Sequence, residues 1–257
     1  PFLSKENRDN TLYFYDVTAK GNFEIDSKNT IYVSGYLGRD VFGFGDEASF
    51  KWGNTTGTFR WNHLFTPKLF LNTSVYYSKY DYSLGFNSEK GAQTDESYKW
   101  VSNIQTFGIK PSLTWFINNK HQLKTGVNVV YYNFYPGKGD AYSEGVKNNI
   151  TLVRRYGSEM AAYAEDSWTI NRKWNVQAGL RINHYAYLGN TTVYYFRDTT
   201  ANVRKPLDRE EMVKDKKPLE SWNFIEPRIS LRYEVKKNTF IKAGYARSSQ
   251  YLHLLSN

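Results

Sequence analysis

The sequence predicts an all-β chain, an antiparallel transmembrane β-barrel of which about ten strands are present. Three observations predict it. Apolar and polar residues alternate over long segments, as on a strand with two different faces. Short polar turns alternate strictly with long polar connections. Aromatic residues make up 18% of the 257 residues (22 Tyr, 16 Phe, 7 Trp), yet mean hydropathy is only −0.66. A chain this aromatic and β-branched is not expected to be disordered. It also has no run near the ~20 apolar residues of a spanning helix.

The elements follow in order from the turn residues. Short turns are predicted at 26–29 (DSKN), 65–68 (FTPK), 117–120 (INNK), 171–173 (NRK) and 236–238 (KKN). Longer polar connections are expected at 43–51, 85–97, 136–147 and 189–221. That rhythm gives five hairpins, with every short turn at one end and every long connection at the other.

The two faces can be assigned strand by strand. Before INNK, Phe107, Ile109, Leu113 and Trp115 oppose Thr106, Gly108, Lys110, Ser112 and Thr114. After it, Leu123, Val127, Val129 and Tyr131 oppose Gln122, Lys124, Gly126 and Asn128. Beyond NRK, Trp174, Val176, Ala178, Leu180 and Ile182 oppose Asn175, Gln177, Gly179, Arg181 and Asn183. In the last hairpin Ile225, Ile229, Leu231 and Tyr233 oppose Glu226, Arg228, Ser230, Arg232 and Glu234. The segment 160–170 sorts less cleanly because of Tyr163. Pro111 and Pro227 fall inside strands and predict bulges or strand ends, since proline cannot donate to a ladder.

Length selects a barrel. About 14 residues at ~3.3 Å each, tilted ~40°, rise roughly 35 Å, enough to cross a hydrocarbon core. A β-sandwich would bury the charged face, which is costly without partners. A water-filled lumen accommodates it. Trp115 and Phe116 precede INNK, and Trp168 and Trp174 flank NRK; these four are the predicted membrane-interface aromatics. In such barrels the short turns face the periplasm and the long connections face outside, so 1–10 and 251–257 belong to outer loops.

Two stretches carry a family resemblance. AAYAEDSWTINRKWNVQAGLRINHY (161–185) places an aromatic-x-x-Asp-x-Trp strand before a short turn and a Gly-Leu-Arg strand after it. EPRISLRYEVKKNTFIKAGYARSSQYLHLL (226–255) places Pro-Arg before a turn and Tyr-Ala-Arg after it. In this order, one long connection apart, they resemble hairpins of TonB-dependent outer-membrane receptors. The resemblance implies a 22-stranded barrel filled by an N-terminal plug and located in the outer membrane of a Gram-negative bacterium. It also implies that 1–257 is part of a single barrel domain, with the plug and remaining strands absent from this stretch. The partners implied are outer-membrane lipid, a small or medium solute, and the TonB complex reached through the plug; a surface lipoprotein partner is a further expectation. The solute expected first is a ferric siderophore, followed by cobalamin, haem or oligosaccharide.

Enzyme chemistry finds little foothold. There is no Cys, so thiolate metal sites and Cys nucleophiles are excluded. His63, His121, His184 and His253 lie on different segments without metal-ligand spacing, and no cofactor is expected. His63 and His184 fall on apolar faces, which suits interfacial positions. A ten-stranded outer-membrane protease would need acids converging on a rim His, for which only His253 is placed. A passive porin is the other alternative. The net charge of +9 favours anionic partners, yet no nucleic-acid motif is present and nucleic acid is not expected. Solute binding is expected in outer loops, at Trp52, Tyr98, Trp100, Tyr135, Tyr142, Tyr194, Tyr195 and Arg197, through stacking and charge-assisted hydrogen bonds. The connection 189–221 is the regional candidate, with VYYF (193–196) a strand extension above the membrane.

Overall fold

Side-chain caps on the short turns set the architecture. In the computed structural model, which describes residues 10–45, 47–87, 96–143, 145–189, 191–197 and 205–252, all five turns fall where predicted. At the first, the Asp26 carboxylate accepts from the amides of Lys28 (2.7 Å) and Asn29 (2.8 Å). These bonds, with one from the Asn29 side chain, hold the carboxyl below the ordinary carboxylate range. Asn118 caps Lys120 and His121, and Asn171 caps Lys173 and Trp174, in the same way. The sequence repeats here as W-x-I-N-x-K, and the backbone repeats with it: the Ile117 amide reaches His121 O at 3.0 Å and the Ile170 amide reaches Trp174 O at 3.1 Å. Such self-capping offers the chain a turn in place of continued strand. Thr66 caps the second turn, and Asn238 takes the left-handed region (φ 63°) in the last.

Between the turns run β1 (Thr11–Asp26), β2 (Asn29–Phe44), β3 (Ala48–Thr66), β4 (Leu69–Asn87), β5 (Ser97–Phe116), β6 (His121–Ser143), β7 (Val146–Thr151), β8 (Arg155–Thr169), β9 (Trp174–Leu188), β10 (Thr191–Phe196), β11 (Leu207–Val213), β12 (Pro218–Lys236) and β13 (Thr239–Ala246). Ten of these form one antiparallel meander in the order β1-β2-β3-β4-β5-β6-β8-β9-β12-β13. This is the ten-strand path the sequence predicts. Among the described residues β1 and β13 stand at its two ends and do not pair with each other.

The faces sort as read, and their burial is inverted relative to a water-soluble sheet. Leu180, Ile182, Ile225 and Phe107 are 45–56% exposed, while Asn183 on the opposite face is 1% exposed and Glu226 5%. Tyr163, which blurred the pattern of β8, belongs to the polar face. There it packs against Gly126, where a Cβ would meet its hydroxyl at 2.8 Å and Pro111 O at 2.6 Å. Tyr76 packs likewise onto Gly108, leaving no room for a side chain. Gly126 and Gly108 on the polar face are therefore seats for cross-strand rings.

Four expectations are corrected. Neither Pro111 nor Pro227 makes a bulge. Ile109↔Val129 and Ser112↔Gly126 lie on one register, and only the pairs around Pro111, which lacks an N–H, are missing. Pro227 pairs with Leu180 in an unbroken ladder and instead marks the last contact with the shorter β13 chain, its carbonyl accepting from the Arg247 amide at 3.1 Å. A register shift away from the strand ends falls instead at Pro136–Gly137, where β6 slips against β5 between Val101 and Asn103. Second, the connections 43–51, 136–147 and 189–221 are largely strand, while most of 85–97 lies outside the described residues. β2 and β3 run to within 45–47, β6 and β7 occupy most of 136–147, and β10 and β11 fold within 189–221. Extended backbone keeps its hydrogen bonds by pairing, so it continues past the point where alternation fades. Third, VYYF is a strand, but it joins a separate two-stranded sheet with β11 and does not extend the main one. Fourth, Trp115, Trp168 and Trp174 lie on the apolar face, whereas Phe116 falls on the other, edge-on to Phe70 at 5.7 Å.

Candidate functional site: the polar wall and the outer rim

The register gathers charge that is scattered in sequence. On the polar face Arg181 of β9 bonds Glu159 of β8 at 3.2 Å, stands 3.8 Å from Glu226 of β12, and donates to Asn183 at 2.7 Å. Tyr132 of β6 donates to Glu159 at 3.3 Å. The Ser249 amide donates to Glu226 at 2.7 Å, and the Tyr251 ring stacks on Tyr185 at 5.1 Å. The acids and Arg181 are at most 18% exposed at their side chains. An ion pair this sheltered is held in one geometry by its added hydrogen bonds. The wall offers fixed charges of both signs to anything filling the space beside it.

At the end away from the short turns, the predicted binding residues do not form one cluster. Trp52, Tyr98, Trp100, Tyr135 and Tyr142 lie within strands, not in loops as expected, because β3, β5 and β6 continue through them. Trp52 (tilted against Phe50 at 5.0 Å), Tyr98 and Trp100 share the polar face, where Trp100 seats on Gly137 and Gly139. Tyr135 and Tyr142 pair with Asn103 and Ser97 on the other face, and Arg154 lies 5.2 Å over the Tyr135 ring. Tyr194 and Tyr195 stand exposed on β10. Arg197 follows them and bonds Asp208 at 2.7 Å, closing the β10–β11 hairpin. Arg209 lies 4.0 Å over the Tyr195 ring.

That hairpin is followed by a contact the sequence did not announce, made to two tyrosines of the apolar face. Asp215 and Lys216 take left-handed φ values (59° and 52°), and the Lys216 ammonium sits 5.0 Å from the Tyr131 ring and 4.7 Å from Tyr156. The Tyr131 hydroxyl beside it raises the ammonium above its ordinary pKa. Of the histidines, His63 lies between Trp61 and Phe65 and contacts Asn29 at 2.7 Å, and His184 contacts Asn223 at 2.8 Å. His121 stacks on Trp168 and contacts Asp166 at 2.7 Å, giving the Asp-x-Trp motif a structural role. His253 and residues 198–204 lie outside the described residues. Among the described residues no three His, Asp or Glu group together as metal ligands.

Residues 3–250 match the family model described as TonB dependent receptor-like, beta-barrel. The chain belongs to this TonB-dependent receptor family. No curated protein matches it in sequence. Solved structures of similar fold include the copper transporter OprC (TM-score 0.68, 12% identity, 95% of this chain and 39% of that one). The ferric citrate transporter FecA matches with a TM-score of 0.62 and 13% identity over 93% of this chain and 36% of its own. The ferric-catecholate import receptor Fiu from E. coli K12 matches at 0.61 and 11% over 96% and 48%. The chain thus spans less than half the length of each of these TonB-dependent relatives.

Proposed function

We propose that the chain is a stretch of the outer-membrane barrel of a TonB-dependent importer in a Gram-negative bacterium. The remaining strands and the plug would belong to the same full-length protein. The observation that carries this reading is the two-faced meander, with Leu180, Ile182 and Ile225 exposed and the Glu159–Arg181–Glu226 network sheltered. Apolar side chains facing out and hydrogen-bonded charge facing in suit a wall between lipid and a polar lumen. Family membership supports the same reading. Transport would proceed by capture outside, followed by remodelling of the plug with energy from the TonB complex. This chain would supply no covalent chemistry.

The solute class proposed first is a ferric siderophore, with cobalamin, haem and oligosaccharide behind it. A bulky chelate suits the rim, where Trp52, Tyr98 and Trp100 offer stacking surfaces on the lumen side. The β10–β11 hairpin would fold over that opening with Tyr194, Tyr195 and Arg197. Solute uptake by cells carrying the full-length receptor is expected to cease when the proton-motive force is collapsed. It is also expected to cease when 189–221 is replaced by a short linker. Uptake unaffected by the proton-motive force would instead mark a passive porin.

A further inference from the structure

We propose that the outward face of β2–β6, just beyond the apolar band, binds the phosphate groups of an outer-leaflet lipid. The register places residues on this face in rows. Tyr77 and Phe107 share the apolar face with Phe59 and Ile109. Two positions further from the short turns, the next row holds Thr55, Lys79 and Gln105, and the one after it Arg39, Gly53, Asp81 and Asn103. Beyond that come Lys51 and Ser83, with Lys138 opposite Val101, and then Lys99 opposite Asp140. The bulge at Pro136–Gly137 is what turns Lys138 onto this side.

The charge on these rows is one-sided. Among the described strand residues of this face the acids are Asp81 and Asp140. Each already has a cation, Arg39 at 2.7 Å and Lys138 at 3.1 Å. Lys51, Lys79 and Lys99 remain as excess positive charge. Arg39, Lys51 and Lys99 line one cavity of about 690 Å³ together with Ser49, Ser83 and Asp81. A cavity on a face whose lower half is bare apolar surface is at the level of lipid headgroups if the wall spans as proposed. Several cations and two hydroxyls around one opening complement a phosphate-bearing headgroup whose acyl chains continue down over Tyr77 and Phe107. The lumen face at the same height carries Trp52, Tyr82 and Trp100 with Asp40 as its charged residue, so the positive charge is not a general property of the rim.

This inference rests on the membrane-spanning reading, and its test separates the two. Native mass spectrometry of the full-length receptor released from detergent is performed with diphosphorylated lipid A, with the same lipid after phosphate removal, and with inorganic pyrophosphate as competitor. The expected result is retained lipid A adducts that fall at least tenfold in Lys51→Glu/Lys99→Glu. They should fall also in Lys51→Gln/Lys99→Gln, while both variants keep the heat-modifiable gel migration of a folded barrel. Adducts of equal abundance with the dephosphorylated lipid, or adducts unchanged in folded variants, would overturn the proposal. Complete displacement by pyrophosphate would also overturn it, by reducing the site to a free-phosphate site. A receptor that stays soluble without detergent would instead defeat the membrane reading itself.

Discussion

Arg181 joins three polar partners of the wall, Glu159, Asn183 and Glu226. It serves Glu159 and Asn183 directly and faces Glu226, so its removal takes the counter-charge from two sheltered carboxylates, leaving Glu159 the Tyr132 hydroxyl and Glu226 the Ser249 amide. Arg181→Ala in the full-length receptor is expected to cost about 1–3 kcal/mol, a sheltered acceptor losing its donor. The check is the shift in urea midpoint against wild type, and Glu159→Gln in that background should restore part of the loss. The exposed Asp26 makes a different residue-scale prediction. Its carboxyl accepts two turn amides, so the folded pKa lies below the ordinary 3.8. Its contribution is complete above the unfolded carboxyl pKa and disappears as pH falls through the lower folded value. A carbon-13 titration of the labelled carboxyl should give a midpoint below 3.8, and one at or above it would mean the turn is not capped as described. The role of Arg181 was not legible beforehand, because the sequence places it on a face without saying which acids stand opposite. That depends on register across three strands.

At the scale of elements, the hairpins were legible because their ends are chemically marked. Asp26, Asn118 and Asn171 each cap two following amides, and a two-residue alternation leads into and out of each turn. Asn171→Ala, which keeps the strands but removes the cap, should destabilise by about 1 kcal/mol, as loss of comparable caps does. A calorimetric transition unchanged from wild type would count against the turn's role. Gly108→Val should be more damaging, since the Tyr76 ring occupies the space a side chain needs. Less legible were β7 and β11. Their sequences, VKNNIT and LDREEMV, are largely polar, and both strands stay almost wholly exposed. Alternation reports burial against something, so it falls silent where a strand has only a partner strand. The bulge at Pro136–Gly137 was missed for a related reason. It reverses the phase of β6, and Tyr142 therefore stands on the opposite face from Trp100 although both were read as one aromatic rim.

At the scale of the whole molecule, an open ten-strand meander with exposed apolar residues on one face is stable only if that face meets lipid and its edges meet further strands. Closure into the larger barrel and the presence of a plug follow as proposals from the family, of which the three solved structures named above are about twice as long as this chain or longer. Leu180 stands six residues above Trp174 on the apolar face, close to the middle of the band. Leu180→Arg should cost the folded barrel about 2–4 kcal/mol. The most direct test of the central claim is a spin-label scan of 174–183 in the full-length receptor in bilayers. It is simplified because this stretch contributes no native Cys. Collision with oxygen should peak at 176, 178, 180 and 182 and fall at 175, 177, 179, 181 and 183, marking lipid on one side of β9 only. A scan without a two-residue period, or with its maxima on the arginine side, would contradict the account.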